Sequence, residues 1–216
     1  RALKESNQFF FVTVNHVNYA DSAVITRLLR ASGLTQRTAL ASTLMGGKEQ
    51  WEILKRLGLI TKTIYTKGTQ ASPAEKLQTR RELEVMVAEQ KKSSNPIPLI
   101  LFPEGQVHNA DRFLLRYEKF CFGLNTPILP IATRLQRPWP IHLWVVNDSP
   151  FITWSLLFAM PWVKWNYSIL PLLYAKSEES SEQFARRVQQ ATAVTLGVLP
   201  TDFSVRDVSE VMDSLP

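Results

Sequence analysis

A run of strand-forming residues that ends in a histidine constrains this chain more than any other feature. Phe9, Phe10, Phe11, Val12 and Val14 are aromatic or β-branched, which predicts a buried strand. Asn15 and His16 follow directly. Asp21 and Ser22 are good N-cap types, and they precede a helical pattern over residues 22–33 that is predicted to end at Gly33. His16 is therefore predicted where a strand gives way to a loop, and Asp21 where the next helix begins.

The His16–Asp21 spacing allows acid–base chemistry. A carboxylate at the helix start can fold back on the imidazole, fix its tautomer and stabilise its charged form, as a general base requires. The alternative is a hydrogen-bonded structural histidine. Candidates are few, because the chain has only three histidines, His16, His108 and His142. A histidine on a surface loop adds little packing, so His16→Ala should change stability by roughly 0.5 kcal/mol or less.

A second apolar segment, residues 99–102, ends in Pro103-Glu104-Gly105. Gly105 lets the backbone approach a ligand closely, and Glu104 can bind substrate hydroxyls or orient His16. A simple β-turn is the alternative. Because both segments end strands, where loops gather to form sites, we expect His16 and Asp21 at the mouth of a pocket shared with Glu104.

Asn15-His16-x4-Asp21 and Phe102-Pro103-Glu104-Gly105 together resemble the signature blocks of the glycerolipid acyltransferase family, and residues 126–131 look like its Val-Pro-x-x-Pro strand. The resemblance covers roughly residues 8–196, with the blocks in the family's order. It implies an α/β protein with a single-domain glycerol-3-phosphate acyltransferase-like fold, a mixed sheet flanked by helices. The domain is predicted over residues 1–197, and residues 198–216 are predicted as a C-terminal tail or linker.

The resemblance also implies a reaction. An acyl chain would pass from acyl-CoA, a co-substrate, to the hydroxyl of a lysophospholipid or glycerol phosphate, with no metal and no other cofactor. His16 would take the hydroxyl proton, and Asp21 would hold the imidazolium. The implied substrate-binding residues are Asn15, Lys67, Glu104, Gly105, Pro127 and Pro130. Lys67 replaces an arginine of the family and lacks its bidentate fork, so a solvated lysine is the alternative there.

One departure and three later features narrow the resemblance. Phe120 lies at a position where most members carry glycine. The later features are Leu135-Gln136-Arg137-Pro138 after the proline-bounded strand, a block rich in Trp, Leu and Phe with one central proline, and a predicted helix over residues 182–190. They resemble a member found on the cytosolic face of the endoplasmic reticulum membrane and on lipid droplets. The second interpretation is therefore a weak or inactive scaffold in ubiquitin-dependent degradation, which would bind ubiquitin-conjugating machinery through segments outside these residues.

Composition sets the broad class. With 216 residues, 45% of them hydrophobic, the chain is long enough for one α/β domain with its own core. Its single cysteine, Cys121, excludes an internal disulfide and a cysteine-rich metal site. The net charge of +6 suits an anionic membrane face or a phosphorylated ligand. Nucleic acid is not expected, since zinc-ligand spacing and an RNA-binding aromatic signature are missing from the sequence. The chain opens on Arg1 with no visible signal peptide, so we expect part of a longer protein.

Residues 151–165 form a block rich in Trp, Leu and Phe with a proline inside it. The block is too short to span a bilayer, which needs about 20 residues. Tryptophans near its polar ends favour an interfacial segment, and the predicted membrane-facing residues are Trp154, Leu157 and Trp162. A buried core segment is the alternative.

Overall fold

A six-stranded sheet organises the computed structural model, which describes residues 8–18, 20–35, 39–43, 55–56, 62–66, 72–108, 110–139, 155, 158–207 and 210. The strands of this sheet are β1 (Phe11–Val14), β2 (Ala39–Thr43), β3 (Lys62–Thr66), β4 (Leu99–Leu101), β6 (Ile128–Gln136) and β7 (Lys164–Ile169). A small separate sheet pairs β5 (Phe113–Leu114) with β8 (Leu199–Pro200), and a short 3₁₀ helix covers Lys119–Cys121.

The strand order is β3-β2-β4-β1-β6-β7, so β1 lies inside the sheet with β4 and β6 as parallel neighbours. Only β7, among the described strands of this sheet, runs antiparallel to its neighbour. The predicted α/β class and mixed sheet are confirmed. Because the carboxyl ends of parallel strands meet at one edge, the loops after β1 and β4 emerge side by side.

Among the described residues, three α-helices cover the two faces: α1 (Asp21–Ala31), α2 (Pro73–Lys92) and α3 (Ser181–Leu196). Alternation along β1 separates the two cores. Val12 and Val14 pack with Leu29 of α1, whereas Phe11 packs with residues of α2 and α3, including Phe184. The sheet is therefore the middle of three layers.

Side-chain capping defines the starts of two helices. Ser72 with Glu75, and Ser180 with Gln183, form capping boxes at the starts of α2 and α3. Gly197 ends α3 at φ +66°, in the left-handed conformation that glycine tolerates best.

The predicted N-cap of α1 is wrong. The N-cap is Ala20, which makes no side-chain cap hydrogen bond, and Asp21 is the first helical residue. The Asp21 carboxylate turns back toward the preceding loop instead, where it accepts hydrogen bonds from the backbone N–H groups of Val17 and Asn18. The prediction that Gly33 ends this helix is confirmed: the last helical residue is Ala31, the C-cap is Ser32, and Gly33 follows at φ +66°.

Ordered structure continues past residue 197. Strand β8 pairs with β5, the backbone N–H of Arg116 donates to the carbonyl of Phe203, and Val205 is buried. The division at residue 197 stays a prediction. No helix in the described part of the chain is both long and apolar enough to cross a bilayer.

Candidate functional site

The loops after β1 and β4 are joined by hydrogen bonds to the backbone of His16. Its N–H donates to Oε2 of Glu104 over 2.8 Å. Its carbonyl accepts from the backbone N–H of His108, also over 2.8 Å. Both polar groups of the His16 peptide backbone are thus fixed by the segment 104–108, which holds the residue at the edge of the sheet.

Asp21 holds the imidazole of His16. The distance from Nδ1 of His16 to Oδ2 of Asp21 is 3.0 Å. The same oxygen accepts from the backbone N–H groups of Val17 at 2.7 Å and Asn18 at 2.8 Å. The other oxygen, Oδ1, accepts from Nε1 of Trp165 at 3.0 Å.

Asp21 is fully buried, and a buried carboxylate is tolerated when donors surround it. Four donors do so here. With Asp21 ionised, Nδ1 of His16 carries the proton, which leaves the lone pair on Nε2 as a general base requires. The expected hydrogen bond between the two residues is present, and their catalytic role stays a prediction.

The imidazole of His16 does not lie free on a surface loop. It stacks on the ring of Phe102, with centroids 4.1 Å apart, and its side chain is 16% exposed. The expected stability loss of 0.5 kcal/mol or less for His16→Ala assumed a surface residue, so the structure replaces it with about 1–2 kcal/mol for a lost ring contact and a lost donor to a charged group.

Glu104 is 1% exposed, and both of its carboxylate oxygens accept hydrogen bonds from the protein. Oε2 takes the His16 N–H, and Oε1 takes Nε2 of His108 at 2.5 Å and the backbone N–H of Leu115 at 3.1 Å. Glu104 therefore positions the backbone of His16 and not its imidazole. Burial and then the charge of Glu104 raise the pKa of nearby Tyr117 well above 10.0, so this phenol stays protonated.

Gly105 forms a turn with Phe102, whose carbonyl accepts its N–H at 3.0 Å. Its φ of +78° favours glycine. The atom that an added Cβ would approach most closely is Cγ2 of Val205, at 3.9 Å, which is ordinary contact. Backbone conformation, more than space, explains the glycine.

Asn15 is fully buried and binds β6. Its amide donates to the carbonyl of Thr133 at 2.8 Å and accepts from the N–H of Thr133 at 2.7 Å, extending the β1–β6 ladder with a side chain. Pro127 and Pro130 are also buried, and their carbonyls accept from the N–H groups of Phe11 and Leu170. These contacts give all three residues a role in the sheet. Their contact with substrate stays a prediction.

The remaining predicted residues are not brought to this site by the described structure. Lys67, Trp154 and Leu157 lie outside the described residues. Trp162 is described and is 51% exposed, and Phe158, four residues before it in the sequence, is 80% exposed.

Two site residues escaped prediction. His108 is four residues after Glu104, and its presence among three histidines was the only signal available. Trp165 lies 144 residues from Asp21 in the sequence, so no local pattern connects them.

Comparison with known proteins places these contacts in context. The chain is 34% identical over 122 residues to mouse "Lipid droplet-regulating VLDL assembly factor AUP1", which covers 54% of this chain and 28% of that protein. The chain is similar to AUP1. The Caenorhabditis elegans AUP1 homolog is 27% identical over 137 residues, which covers 62% of this chain and 35% of that protein. The resemblance predicted from the sequence blocks is thereby confirmed.

An enzyme also matches. Mouse "Glycerol-3-phosphate acyltransferase 3" is 27% identical over 129 residues, or 58% of this chain and 28% of the enzyme. No family model matches the chain. The chain spans 28–35% of the length of these curated relatives.

Proposed function

We propose that this chain is an acyltransferase-like domain that moves an acyl chain from acyl-CoA to the hydroxyl of a lysophospholipid or glycerol phosphate. The observation that carries the proposal is the His16–Asp21 hydrogen bond, in which a buried carboxylate with four donors fixes a partly exposed imidazole. Similarity to a glycerol-3-phosphate acyltransferase supports the same reaction class and an acyltransferase-like form of the α/β fold.

The proposed reaction is a direct transfer. The acceptor hydroxyl oxygen attacks the thioester carbonyl carbon while Nε2 of His16 takes the hydroxyl proton. The carbon–sulfur bond breaks, and the CoA thiolate leaves and receives that proton, which restores neutral His16. Asp21 stabilises the positive imidazole between these steps. The protein needs no serine or cysteine nucleophile, and Cys121 is buried in the core.

We place this activity at a lipid droplet or endoplasmic reticulum surface. The AUP1 relatives are named for lipid droplet regulation. The exposed side chains of Phe158 and Trp162 support contact with such a surface, because aromatic rings of this kind favour the membrane interface.

A scaffold is the second candidate, and the relatives' names favour it. The AUP1 proteins are named as assembly and regulatory factors and not as enzymes. In this case the His16–Asp21 pair would be a structural link between β1 and α1. Ubiquitin-conjugating machinery, which we keep as the proposed partner of this candidate, would bind segments outside this chain.

An acyl-transfer assay separates the two candidates. The purified protein receives long-chain acyl-CoA and a panel of acceptors, glycerol 3-phosphate, lysophosphatidic acid and lysophosphatidylcholine, and both acylated product and free CoA thiol are measured. A reaction without acceptor corrects for thioester hydrolysis.

The informative variant is His16→Asn. Its side-chain amide can replace Nδ1 as the donor to Asp21 but supplies no base at the Nε2 position. We expect a rate loss of about 10²–10⁴-fold with the fold retained. Transfer at the parent rate in this variant would exclude His16 as the base, and no transfer by the parent protein with any acceptor would favour the scaffold.

A further inference from the structure

The two residues that bind the backbone of His16 also bind each other. The N–H of His16 donates to Oε2 of Glu104 over 2.8 Å. The carbonyl of His16 accepts from the backbone N–H of His108 over 2.8 Å. Nε2 of His108 lies 2.5 Å from Oε1 of Glu104. The hydrogen bonds therefore form a closed cycle, in which Glu104 and His108 act as a clamp on the backbone of His16.

The imidazole of His108 is enclosed by the protein. His108 is 2% exposed, and its ring stacks on the ring of Phe113 in β5, with centroids 5.8 Å apart. Two residues further along, Leu115 donates its backbone N–H to Oε1 of Glu104 over 3.1 Å. The segment that begins with β5 thus contacts both members of the clamp. In this position the imidazole of His108 cannot reach a substrate, and it acts on His16 through Glu104 and through the backbone.

The support of the clamp is itself fixed from two sides. Gln189 of α3 is fully buried, and its side-chain amide donates to the carbonyl of Leu115 at 2.8 Å and to that of Thr201 at 2.9 Å. The backbone N–H of Arg116 donates to the carbonyl of Phe203 over 2.8 Å. The residues that hold Glu104 and His108 are therefore tied to α3 and to the segment that follows it.

The position of a general base depends on its backbone as well as on its ring. Asp21 holds Nδ1 of His16, and the clamp holds the peptide groups on either side of its Cα. A shift of about 1 Å in a reacting group can cost about 10²-fold in rate. Without the donor at Nε2 of His108, Oε1 of Glu104 keeps the N–H of Leu115, and its carboxylate is freer to turn away from His16.

We propose that His108 is a positioning residue for His16. Through Glu104 it fixes the backbone of the proposed base, while Asp21 fixes the ring. The effect of His108 on catalysis rests on the proposed function, whereas its effect on the position of His16 does not. The two parts can therefore be tested separately.

The contact is tested first by NMR of the isotope-labelled parent protein. We expect the Nε2–H proton of His108 to give a downfield signal that exchanges slowly with water, because the donor is buried and its bond to a carboxylate is short. A His108 imidazole without a proton on Nε2 would overturn the proposal, and this result needs no variant to fold.

Two substitutions at His108 form a matched pair. His108→Gln keeps an amide N–H at the position of Nε2, whereas the shorter side chain of His108→Asn ends before it. In His108→Asn, we expect hydrogen exchange at the N–H of His16, relative to that of Val12, to be about tenfold faster or more. In His108→Gln this ratio should stay within about twofold of the parent value.

Leu83→Ala controls for a general loss of stability. Leu83 is a buried core residue of α2, so its removal destabilises the protein without changing a hydrogen bond of the clamp. This variant should leave the His16 to Val12 exchange ratio unchanged. A folded His108→Asn variant with the parent ratio would overturn the proposal.

Activity tests the catalytic part. In the acyl-transfer assay, His108→Asn should lower kcat about 10- to 100-fold and change KM by less than about twofold, because the base is displaced and no substrate contact is lost. His108→Gln should restore most of kcat. Parent kcat in His108→Asn, or equal losses in the two variants, would overturn the positioning role and keep the enzyme. Faster exchange at His16 in His108→Asn, in a protein that transfers no acyl group, would support the clamp and count against the proposed function.

Discussion

Trp165→Phe tests how strongly the site depends on a contact from the far end of the sheet. The substitution removes Nε1, which donates to Oδ1 of Asp21 at 3.0 Å, and keeps an aromatic ring in the core cluster beside Leu135. Asp21 retains its three contacts with Oδ2, from His16, Val17 and Asn18. The variant therefore isolates one donor of four.

The expected destabilisation can be worked out from these contacts. A hydrogen bond to a charged group is worth about 1.5–3 kcal/mol, and we take the lower end because the carboxylate keeps three donors. The smaller ring of phenylalanine loses about 20 Å² of buried apolar area, or roughly 0.5 kcal/mol. The sum is about 2 kcal/mol, which for a protein of this size lowers the melting temperature by about 4–8 °C.

The assay is thermal and urea unfolding of Trp165→Phe beside Trp139→Phe. Trp139 is 46% exposed, so the same substitution there should cost less than about 0.5 kcal/mol. Equal melting temperatures for the two variants would refute the reasoning, because the Trp165–Asp21 contact would then contribute nothing. If the chain transfers acyl groups, Trp165→Phe should also lower kcat more than it raises KM, since it loosens the partner of the base and no substrate contact.

Three further predictions follow from other contacts. His16→Ala should abolish acyl transfer and lower the free energy of unfolding by about 1–2 kcal/mol, as urea titration beside His16→Asn will show; a loss below 0.5 kcal/mol contradicts the stacked, hydrogen-bonded position. The Glu179–Arg187 fork, with both bonds 2.7 Å long, lowers the pKa of Glu179 from 4.5 to about 2. The stabilisation by this ion pair is complete above pH 4.5 and is lost as pH falls toward 2. Arg187→Lys should therefore lower the free energy of unfolding by roughly 1 kcal/mol at pH 7 and by less at pH 2. An equal loss at both pH values argues against the pair. Replacing the three predicted membrane-facing residues, Trp154, Leu157 and Trp162, with serine should weaken co-sedimentation with anionic liposomes. A folded variant that binds as well as the parent would show that residues 151–165 are core or a protein interface.

Much of the site could be predicted because its causes are local. The His16–Asp21 bond closes over five residues, and the apolar run before it sets β1. The proximity of Glu104 follows from one further step, since β1 and β4 are both buried parallel strands whose carboxyl ends meet. The capping boxes of α2 and α3 are likewise local, since each is formed within four consecutive residues.

The errors have a common physical origin. Asp21 was expected to cap α1, because its residue type favours that position. The loop before it offers the N–H groups of Val17 and Asn18 together with the His16 ring, and a carboxylate that satisfies several donors inside the protein gains more than one exposed at a helix end. The sequence predicted the bond between Asp21 and His16 but wrongly gave the Asp21 carboxylate the role of helix cap as well. Glu104 was predicted to bind substrate hydroxyls or to orient His16, and its Oε2 holds the backbone N–H of His16 while its Oε1 accepts from His108 and Leu115.

Trp165 shows why the rest lies beyond local sequence patterns. Its position depends on the antiparallel register of β7 on β6, in which Leu135 pairs with Trp165 and Arg134 with Asn166. A shift by one residue would turn the indole to the opposite face and leave Oδ1 of Asp21 without this donor. Edge strand β7 therefore supports the partner of the proposed base. Strand β7 begins two residues after the exposed Trp162. We therefore expect contact between that segment and a membrane to affect the hydrogen bond that Trp165 donates to Asp21.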